Sequence, residues 1–304
     1  MPWFRANFHC HSTNSDGSAG PEDVARIYRS FGMHVVTLSD HNTLTHPDEY
    51  RAALGSDAIA LPCSEYTGPE SAHVLGVDVD DAVAPSRDLS DVDVVGILRD
   101  GVDRVRAAGG VAVLCHPCWN WTWDHDALFA LPDVTHFEVF NAAPDCNSYP
   151  TFGRSAPEVI WDRVLSTGRL VYGVATDDAH YYHAHGRDAK PPRKLSPPGL
   201  GYCVIDAPEL SRRAVRDAFE TGRFYASTGV ELADYRVGPD AIHVEVAPWS
   251  HERATIEFIG IDGTLLARHD DLSAAYRFTG VERYVRARIT DTTGGYAFTQ
   301  PVML

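Results

Sequence analysis

The chain has 304 residues, 44% of them hydrophobic, and a formal net charge of −16. This length accommodates one α/β barrel of roughly 250 residues with a small appendage. The negative charge argues against stable nucleic-acid binding, which needs a basic face. No apolar run approaches the roughly 20 residues that span a bilayer, and the first histidine motif comes too early for a cleaved leader to precede it. We therefore expect a cytoplasmic protein without membrane contact, and the six scattered cysteines fit reduced thiols.

Short apolar runs alternate with helical patterns through the first three-quarters of the chain. The predicted helices lie at about 21–31, 93–108, 155–167 and 209–221. The first has Pro21 in its first turn, and Gly109 follows the second. The predicted strands lie at 3–9, 34–41, 58–66, 72–79, 111–117, 135–141, 170–180 and 201–207. This alternation predicts parallel strands joined by crossover helices.

After about residue 228, short alternating strands with glycine turns replace the helical patterns. The predicted organisation is a barrel-type unit at 1–228 and a small antiparallel β-sandwich at 229–304. The sandwich carries no ligand-like histidine cluster. We expect it to pack on the barrel, extend its pocket or mediate dimerisation, which leaves a homo-oligomer open. The stretch 184–199, rich in Pro, Arg and Lys, predicts a surface loop.

Polar residues of the types that bind metals stand where the predicted strands end. They are His9, Asp40, His41, Glu65, His116, Glu138 and Asp178. Polar groups at the C-terminal strand ends are typical of the active-site face of a barrel. An ordinary polar loop would use Ser, Gly and Asn as readily, so the enrichment in His, Asp and Glu indicates a metal site.

The two histidines of the first motif, His9 and His11, would point to the same side of a continuous strand. One such pair is weak evidence, but His73 and the Asp178-x-His180 pair repeat the chemistry. Imidazoles mixed with carboxylates suit Zn²⁺, Mn²⁺ or Fe²⁺. More than four such ligands imply more than one ion, because a zinc ion takes four or five. We therefore predict two to three divalent ions.

Lysine is nearly absent from the chain, which has only Lys190 and Lys194. In metal hydrolases of the amidohydrolase type, a carboxylated lysine often bridges the metal ions. Because no lysine precedes residue 190, we expect a glutamate to bridge instead, and Glu65 is the candidate.

Seven segments together resemble the PHP (polymerase and histidinol phosphatase) superfamily over about residues 4–228. In chain order they read FHCHSTNSDGS, LSDHNTLT, PCSEYTG, AHVLGV, VLCHPCW, FEVFN and ATDDAHY. The tail, with GRFYASTGVEL and TDTTGGYAFTQPV, is similar to a bacterial branch of stand-alone PHP proteins. The resemblance implies a distorted (β/α)₇ TIM-like barrel with a trinuclear metal site.

The resemblance also implies three ligand sets, with Glu65 shared by two of them. The first is His9, His11, Glu65 and Asp178; the second is Glu65, His73 and His116; the third is Asp16, His41 and His180. Asp16 stands where many relatives have histidine, which indicates a weaker third site or a harder ion. Asp40, next to His41, would orient a ligand or relay a proton.

The activity implied is hydrolysis of a small phosphorylated metabolite, such as a nucleotide, a nucleoside bisphosphate or a sugar phosphate, with a metal-bridging hydroxide as nucleophile. Glu65 and Asp40 are the expected catalytic carboxylates. The expected substrate contacts are Arg154, Asn141, Trp119 and Lys194. Trp119, Trp121 and Trp123 form either an aromatic wall for the substrate or a packed lid.

Two alternatives remain open from the sequence. The same metal ions could hydrolyse a carboxylic ester, a carbamate or a phosphonate. The chain could instead be a non-catalytic module that binds a metal or a ligand, although the near-complete ligand set argues against this.

Overall fold

The computed structural model describes residues 2–150, 153–182, 196–248 and 253–304. These residues form a mixed α/β structure with many strands and few helices. The helices are α1 (Pro21–Ser30), α2 (Val94–Ala107), α3 (His125–Ala130), α4 (Pro157–Ser166) and α5 (Arg212–Glu220). Single 3-10 turns occur at Pro47–Glu49, Arg51–Ala53 and Ile261–Gly263. No helix in these ranges is long and apolar enough to cross a membrane.

Local signals at the helix ends explain why the predicted helices form. Pro21 occupies the first turn of α1, and Glu22 and Asp23 lie at its positive end. The Asp93 side chain caps α2 by accepting a hydrogen bond from the Gly96 N–H, and Gly109 follows the helix with a φ of 78°. The four predicted helices are confirmed to within a few residues, whereas the short α3 was not predicted.

The strands of the first part are β1 (Trp3–Ala6), β2 (Val35–Val36), β3 (Ile59–Ala60), β4 (Cys63–Thr67), β5 (His73–Val77), β6 (Val111–Leu114), β7 (His136–Asn141), β8 (Tyr172–Thr176), β9 (Tyr202–Asp206) and β10 (Phe224–Ser227). They belong to two sheets. One five-stranded sheet has the order β4-β5-β6-β7-β8, and the segment β10-β9-β1-β2-β3 belongs to a ten-stranded sheet. The pairings β4–β5, β5–β6 and β1–β9 are antiparallel, so the prediction of uniformly parallel strands is wrong at these positions.

The remaining strands are β11 (Leu232–Val237), β12 (Ala241–Val246), β13 (Ala254–Ile259), β14 (Leu265–His269), β15 (Ser273–Arg277), β16 (Tyr284–Asp291), β17 (Tyr296–Thr299) and β18 (Val302–Met303). Only β11, β12 and β15 form a sheet of their own, and the others extend the ten-stranded sheet through the antiparallel pairing of β17 with β10. The pairing therefore confirms neither one closed barrel nor a separate β-sandwich. The boundary between residues 228 and 229 stays a prediction.

The two sheets of the first part meet where the segments that follow β1 and β2 pair with Ala179, beyond β8, and with Glu65, inside β4. Isolated parallel bridges join Cys10 to Ala179 and His41 to Glu65. The Asp178 N–H also donates to the His9 carbonyl oxygen at 3.0 Å. One apolar cluster takes side chains from strands of both sheets, among them Ala6, Leu75, Val113, Val174 and Ile205. Burial of that shared core holds the sheets together and places their polar strand ends side by side.

Candidate metal centre

The carboxylate of Glu65 lies at the centre of the polar strand ends. Its Oε1 atom lies 2.9 Å from Nδ1 of His73, 3.4 Å from Nε2 of His9 and 3.5 Å from Nε2 of His116. Its Oε2 atom lies 2.7 Å from Nδ1 of His41 and 3.5 Å from Nε2 of His11. Glu65 is 1% exposed. One buried carboxylate is thus shared by imidazoles from five separate positions of the chain.

Asp178 forms a second carboxylate contact with the first histidine pair. Its Oδ1 atom lies 3.3 Å from Nε2 of His9 and 3.1 Å from Nε2 of His11. Ligand atoms of His9, His11 and Asp178 all lie within 4.8 Å of one another. These three residues come from the segments that follow β1 and β8, which the Cys10–Ala179 bridge holds together.

Asp16 joins three imidazoles on the outer side of the cluster. Its Oδ1 atom lies 3.4 Å from Nε2 of His180, 3.6 Å from Nε2 of His41 and 3.9 Å from Nδ1 of His11. The other ring nitrogen of His180 donates to the Asp178 carbonyl oxygen at 2.8 Å, which leaves Nε2 directed toward Asp16. The Asp16 side chain is 56% exposed, so this group of ligand atoms is the one open to solvent.

Several buried polar atoms of the cluster have no hydrogen-bond partner within the described part of the chain. They are His9 Nε2, His11 Nδ1, Glu65 Oε2 and His116 Nδ1. The 2.7 Å approach of His41 Nδ1 to Glu65 Oε2 lacks hydrogen-bond geometry and does not satisfy that oxygen. Buried polar atoms without partners are costly. Cations between the imidazoles and carboxylates would satisfy them, so the residues present fit divalent metal ions.

The charges of the buried carboxylates and imidazoles in the cluster depend on one another. Burial would lower the pKa of His9, but Asp178, Glu65 and Glu138 raise it well above its usual value. Burial would raise the pKa of Glu65, but His9, His73 and His41 hold it well below its usual range. Without a cation, the buried carboxylates can stay charged only if nearby imidazoles take up protons. A bound divalent ion would replace those protons.

All of the predicted ligand residues lie in this cluster, but their grouping differs in part from the predicted sets. His41 approaches both Glu65 and Asp16, and His11 approaches both Asp178 and Asp16. The ligand atoms of His41, Glu65 and His73 form one compact group, and those of His11, Asp16, His41 and His180 form another. The roles of individual residues as ligands stay predictions.

Asp40 faces away from the cluster. Its carboxylate accepts hydrogen bonds from the Ser12 N–H and hydroxyl, both at 2.7 Å, from the Ser15 hydroxyl at 2.6 Å and from the Thr45 hydroxyl. It is fully buried and does not line the cavity over the metal cluster. These contacts hold the loop that carries His11 and Asp16. They give no support to the predicted proton relay through Asp40.

The predicted substrate contacts separate into different environments. Trp119 lines the cavity, with its ring 5.3 Å from that of His73 and 5.0 Å from that of His116. Arg154 lies over the exposed ring of Trp121 at 4.7 Å and does not line the cavity. Asn141 is 2% exposed and donates to Glu138 and Asp178 instead of facing the cavity.

Other predictions for this region have mixed outcomes. Trp123 is 6% exposed and donates to the Cys115 carbonyl oxygen, so a continuous wall of three tryptophans is not formed. Lys194 lies outside the described residues, as does most of the predicted loop at 184–199.

Four residues near the cluster were not among the predicted ligands, catalytic residues or substrate contacts. Glu138 accepts hydrogen bonds from His9 and from the His116 backbone at 2.7 Å each. Its place at a strand end was the only signal in the sequence. Asp145 and Cys146 line the cavity but follow no recognisable motif. The thiol of Cys115 lies close enough to His9 and Glu65 to join a ligand group, although the sequence indicated only a reduced thiol there.

The cavity over the cluster has a volume of about 240 Å³. A larger cavity of about 660 Å³ lies between α4 and the strands β13 and β14. Its lining includes Glu158, Asp162 and Arg288, which are engaged in ion pairs, and it contains none of the metal-ligand groups. Chemistry, not size, therefore identifies the smaller cavity as the candidate functional site.

Comparison with known proteins gives a structural likeness only. No family model and no curated protein matches the sequence. A two-domain protein from Bacteroides vulgatus, described as containing a predicted PHP-like metal-dependent phosphoesterase, matches with a TM-score of 0.51 and 15% sequence identity. The match covers 99% of this chain and 95% of that one. The chain thus has a PHP-like fold, and the resemblance seen in the sequence is confirmed at the level of the fold.

Two further likenesses fall below a TM-score of 0.5 and carry no argument. A candidate metal-dependent phosphoesterase from Bifidobacterium adolescentis has a TM-score of 0.42 and 18% identity, over 64% of this chain and 92% of that one. An amidohydrolase from Chromobacterium violaceum, with bound sulfate and no metal, has a TM-score of 0.39 and 17% identity, over 61% of this chain and 92% of that one.

Proposed function

We propose that this chain is a metal-dependent phosphoesterase that acts on a small phosphorylated metabolite. The observation that carries the proposal is the shared carboxylate of Glu65, which lies 2.9–3.5 Å from nitrogen atoms of His73, His9 and His116 through one oxygen and approaches His41 and His11 through the other. A carboxylate shared in this way is suited to bridging two cations. The description of the Bacteroides vulgatus protein supports the same class of activity.

The proposed ligands follow the three predicted sets, with His41 placed to serve either of two ions. His9, His11, Glu65 and Asp178 would hold one ion; Glu65, His73 and His116 a second; Asp16, His41 and His180 a third. Mn²⁺, Fe²⁺ and Zn²⁺ all suit this mixture of imidazole and carboxylate. Clustered ions of this kind supply an activated water nucleophile near neutral pH and neutralise charge on the phosphoryl oxygens.

The protein's own residues prepare the site for this chemistry. The bond from His180 Nδ1 to the Asp178 carbonyl oxygen leaves Nε2 of His180 free to bind a cation. The Thr67 hydroxyl lies 2.6 Å from Nδ1 of His41 and likewise leaves Nε2 of His41 directed toward Asp16. Trp119 lines one side of the cavity. We propose that it also contacts the apolar part of the substrate.

The size and lining of the cavity bear on the substrate. At about 240 Å³, the cavity is somewhat smaller than the roughly 300–1,000 Å³ usual for ligand pockets, which favours a small substrate. No Lys or Arg is among the described residues that line it. A phosphate group would therefore depend on the cations for charge neutralisation. A nucleotide or a sugar phosphate would place its base or sugar against Trp119.

The lack of a basic side chain among those lining residues also favours the second candidate, a metal-dependent hydrolase of a carboxylic ester, carbamate or phosphonate. Carboxylic esters and carbamates bring less negative charge than a phosphate monoester. We also propose a distorted (β/α)₇ barrel and a β-sandwich, with a boundary at residue 228. The proposal includes no stable nucleic-acid binding and allows a homo-oligomer.

The test is to measure metal content per chain in protein purified without chelators and to assay that sample. The substrate panel should contain phosphomonoesters, phosphodiesters, a phosphonate and aryl carboxylic esters. Two or three equivalents of Mn, Fe or Zn with chelator-sensitive phosphomonoesterase turnover would support the proposal. Turnover of esters or phosphonates alone would favour the second candidate. Full activity after verified metal removal would contradict both candidates.

A further inference from the structure

Glu138, on β7, is a fully buried carboxylate next to the metal cluster but outside the proposed ligand sets. Its Oε1 atom lies 2.7 Å from Nδ1 of His9 and 2.6 Å from the Thr176 hydroxyl. Its Oε2 atom accepts hydrogen bonds from the His116 N–H at 2.7 Å and from Nδ2 of Asn141 at 2.9 Å. Four partners from four elements or strand ends therefore surround one carboxylate.

Because four partners surround the Glu138 carboxylate, each of them must donate a hydrogen bond to it. An ionised carboxylate has about four acceptor positions and no donor. Because every position is occupied, His9 must carry a proton on Nδ1 to complete the arrangement. The unprotonated nitrogen of a neutral His9 is then Nε2. That atom is buried, has no hydrogen-bond partner among the described residues, and lies 3.4 Å from Glu65 and 3.3 Å from Asp178.

The Oε2 atom of Glu138 holds the backbone at His116. His116 has a φ of 28°, in a region that side-chain-bearing residues rarely adopt. Such a conformation persists only where surrounding contacts hold it. The His116 N–H donates to Oε2 of Glu138, so the carboxylate fixes the peptide that directs the His116 imidazole toward Glu65.

Asn141 extends the same network to a third proposed ligand. Its amide nitrogen lies 2.9 Å from Oε2 of Glu138 and 3.2 Å from Oδ2 of Asp178. Asp178 also has a positive φ, of 48°. The amide therefore holds the Asp178 carboxylate through one oxygen while the other faces His9 and His11.

We infer that Glu138 is a positioning residue that presents Nε2 of His9 to a metal ion and holds His116 and, through Asn141, Asp178 in place. The inference rests on the proposed function, because it concerns ligands of the proposed ions. A buried carboxylate that only joined neighbouring strands would affect stability without selecting one tautomer of His9. Metal affinity and the protonation of His9 therefore separate the two roles.

The variant that tests the inference is Glu138→Gln. The amide has one acceptor oxygen and one NH₂ group, so the NH₂ must face either His9 and Thr176 or the His116 N–H and Asn141. The first orientation favours the His9 tautomer with a proton on Nε2, which blocks metal binding there. The second orientation places the NH₂ group of the new side chain against two other donors, the His116 N–H and the Asn141 amide. Either result should weaken zinc binding by about 10–100-fold.

The measurement is zinc affinity of the metal-free full chain, by competition with a chromophoric chelator. Glu158→Gln is the matched control, because it makes the same change in a largely buried ion pair with Arg286 and Arg288, away from the cluster. We expect wild-type affinity in the control. A folded Glu138→Gln protein with affinity within twofold of wild type would overturn the inference.

A measurement on the wild-type protein tests the inference even if the Glu138→Gln variant misfolds. In zinc-loaded protein labelled with ¹⁵N-histidine, the His9 signals, assigned by their loss in His9→Gln, should show a protonated Nδ1 and a coordinated Nε2. The opposite assignment would overturn the inference even if Glu138→Gln cannot be prepared. Wild-type protein that binds no zinc, manganese or iron would overturn the proposed function and the inference together, whereas equal binding by wild type and Glu138→Gln overturns the inference alone.

Discussion

Nδ1 of His73 lies 2.9 Å from Oε1 of Glu65, and the two residues stand on the adjacent antiparallel strands β5 and β4. In that pairing His73 is opposite Thr67, so it is the diagonal neighbour of Glu65 on the same face of the sheet. The hairpin therefore brings a histidine to the central carboxylate from eight positions further along the chain. The candidate metal centre depends on this local pairing as well as on the meeting of the two sheets.

Replacing Glu65 by Gln should remove at least one equivalent of bound metal. The amide keeps the shape of the side chain but removes the charge that five imidazoles share. We expect kcat/KM to fall by more than the roughly 10–100-fold that is typical of residues which only orient a ligand. Elemental analysis and the phosphatase assay would measure both effects. The exposed Glu70→Gln, in the turn between β4 and β5, is the control and should keep its metal.

Gly17 approaches the backbone of the loop that carries the first histidine pair. A Cβ at this position would lie 2.3 Å from the His11 carbonyl oxygen and 2.8 Å from the Ser12 nitrogen. Gly17→Ala should therefore displace the loop, lower the free energy of unfolding by about 1–3 kcal/mol and weaken the ion held by the Asp16 group. Urea unfolding and metal titration would detect the changes. In Gly238→Ala the new Cβ would meet nothing closer than 3.6 Å, so neither quantity should change.

Metal affinity should rise with pH because a cation must displace protons from the imidazoles. Burial would lower the pKa of His180, but Asp16 and Asp178 raise it to about 9 in the metal-free protein. Below that pH the ring is protonated and competes with the cation. Manganese affinity should thus increase between about pH 6 and pH 9 and then level off. His180→Asn should reduce the slope, and an affinity that does not vary with pH would contradict the expectation.

The raised pKa of His180 should make the metal-free chain less stable as the pH rises, although it makes metal binding stronger. Because the folded protein binds the His180 proton more tightly than the unfolded chain does, this group's contribution is complete below its ordinary pKa of 6.5. It is lost as the pH rises through about 9. Unfolding of metal-free protein in urea across this range should show less of this decline in His180→Asn than in wild type.

Trp119→Ala should reduce the affinity for substrates with an aromatic or nucleoside group. Loss of a stacking side chain at the cavity is expected to raise KM by roughly tenfold or more, with a smaller change for an aliphatic phosphate. Trp121→Ala is the control, because Trp121 contacts Arg154 and does not line the cavity. Equal KM values for wild type and Trp119→Ala would exclude the substrate contact.

The guanidinium of Arg286 is fully buried and pairs with Asp162 and Glu158, which joins β16 to α4. Arg286→Met would leave the buried Asp162 carboxylate without its cation and should cost about 3–5 kcal/mol of unfolding free energy. Arg288 is 30% exposed and pairs with Glu158 and Glu257, so Arg288→Met should cost less. Metal content should be unchanged in both folded variants, since neither residue contacts the cluster.

The sequence by itself indicated which residues make up the candidate metal centre. His-x-His, Asp-His, Glu65 and Asp-x-His are recognisable because imidazole and carboxylate ligands suit divalent metal ions, and those residue types stand out next to apolar strand patterns. The helices were equally accessible, since their caps and proline positions are local signals.

Only the tertiary structure decided which groups meet. Asp40 and Glu138 both follow or occupy predicted strands, yet Asp40 is enclosed by the hydroxyls of Ser12, Ser15 and Thr45, whereas Glu138 reaches His9. Trp119 and Trp123 share one motif, yet one lines the cavity and the other enters the core. Sheet order and the sharing of His41 between two carboxylates were likewise inaccessible. The physical reason is that these contacts join residues distant in sequence, and their geometry depends on how the two sheets pack over a common core.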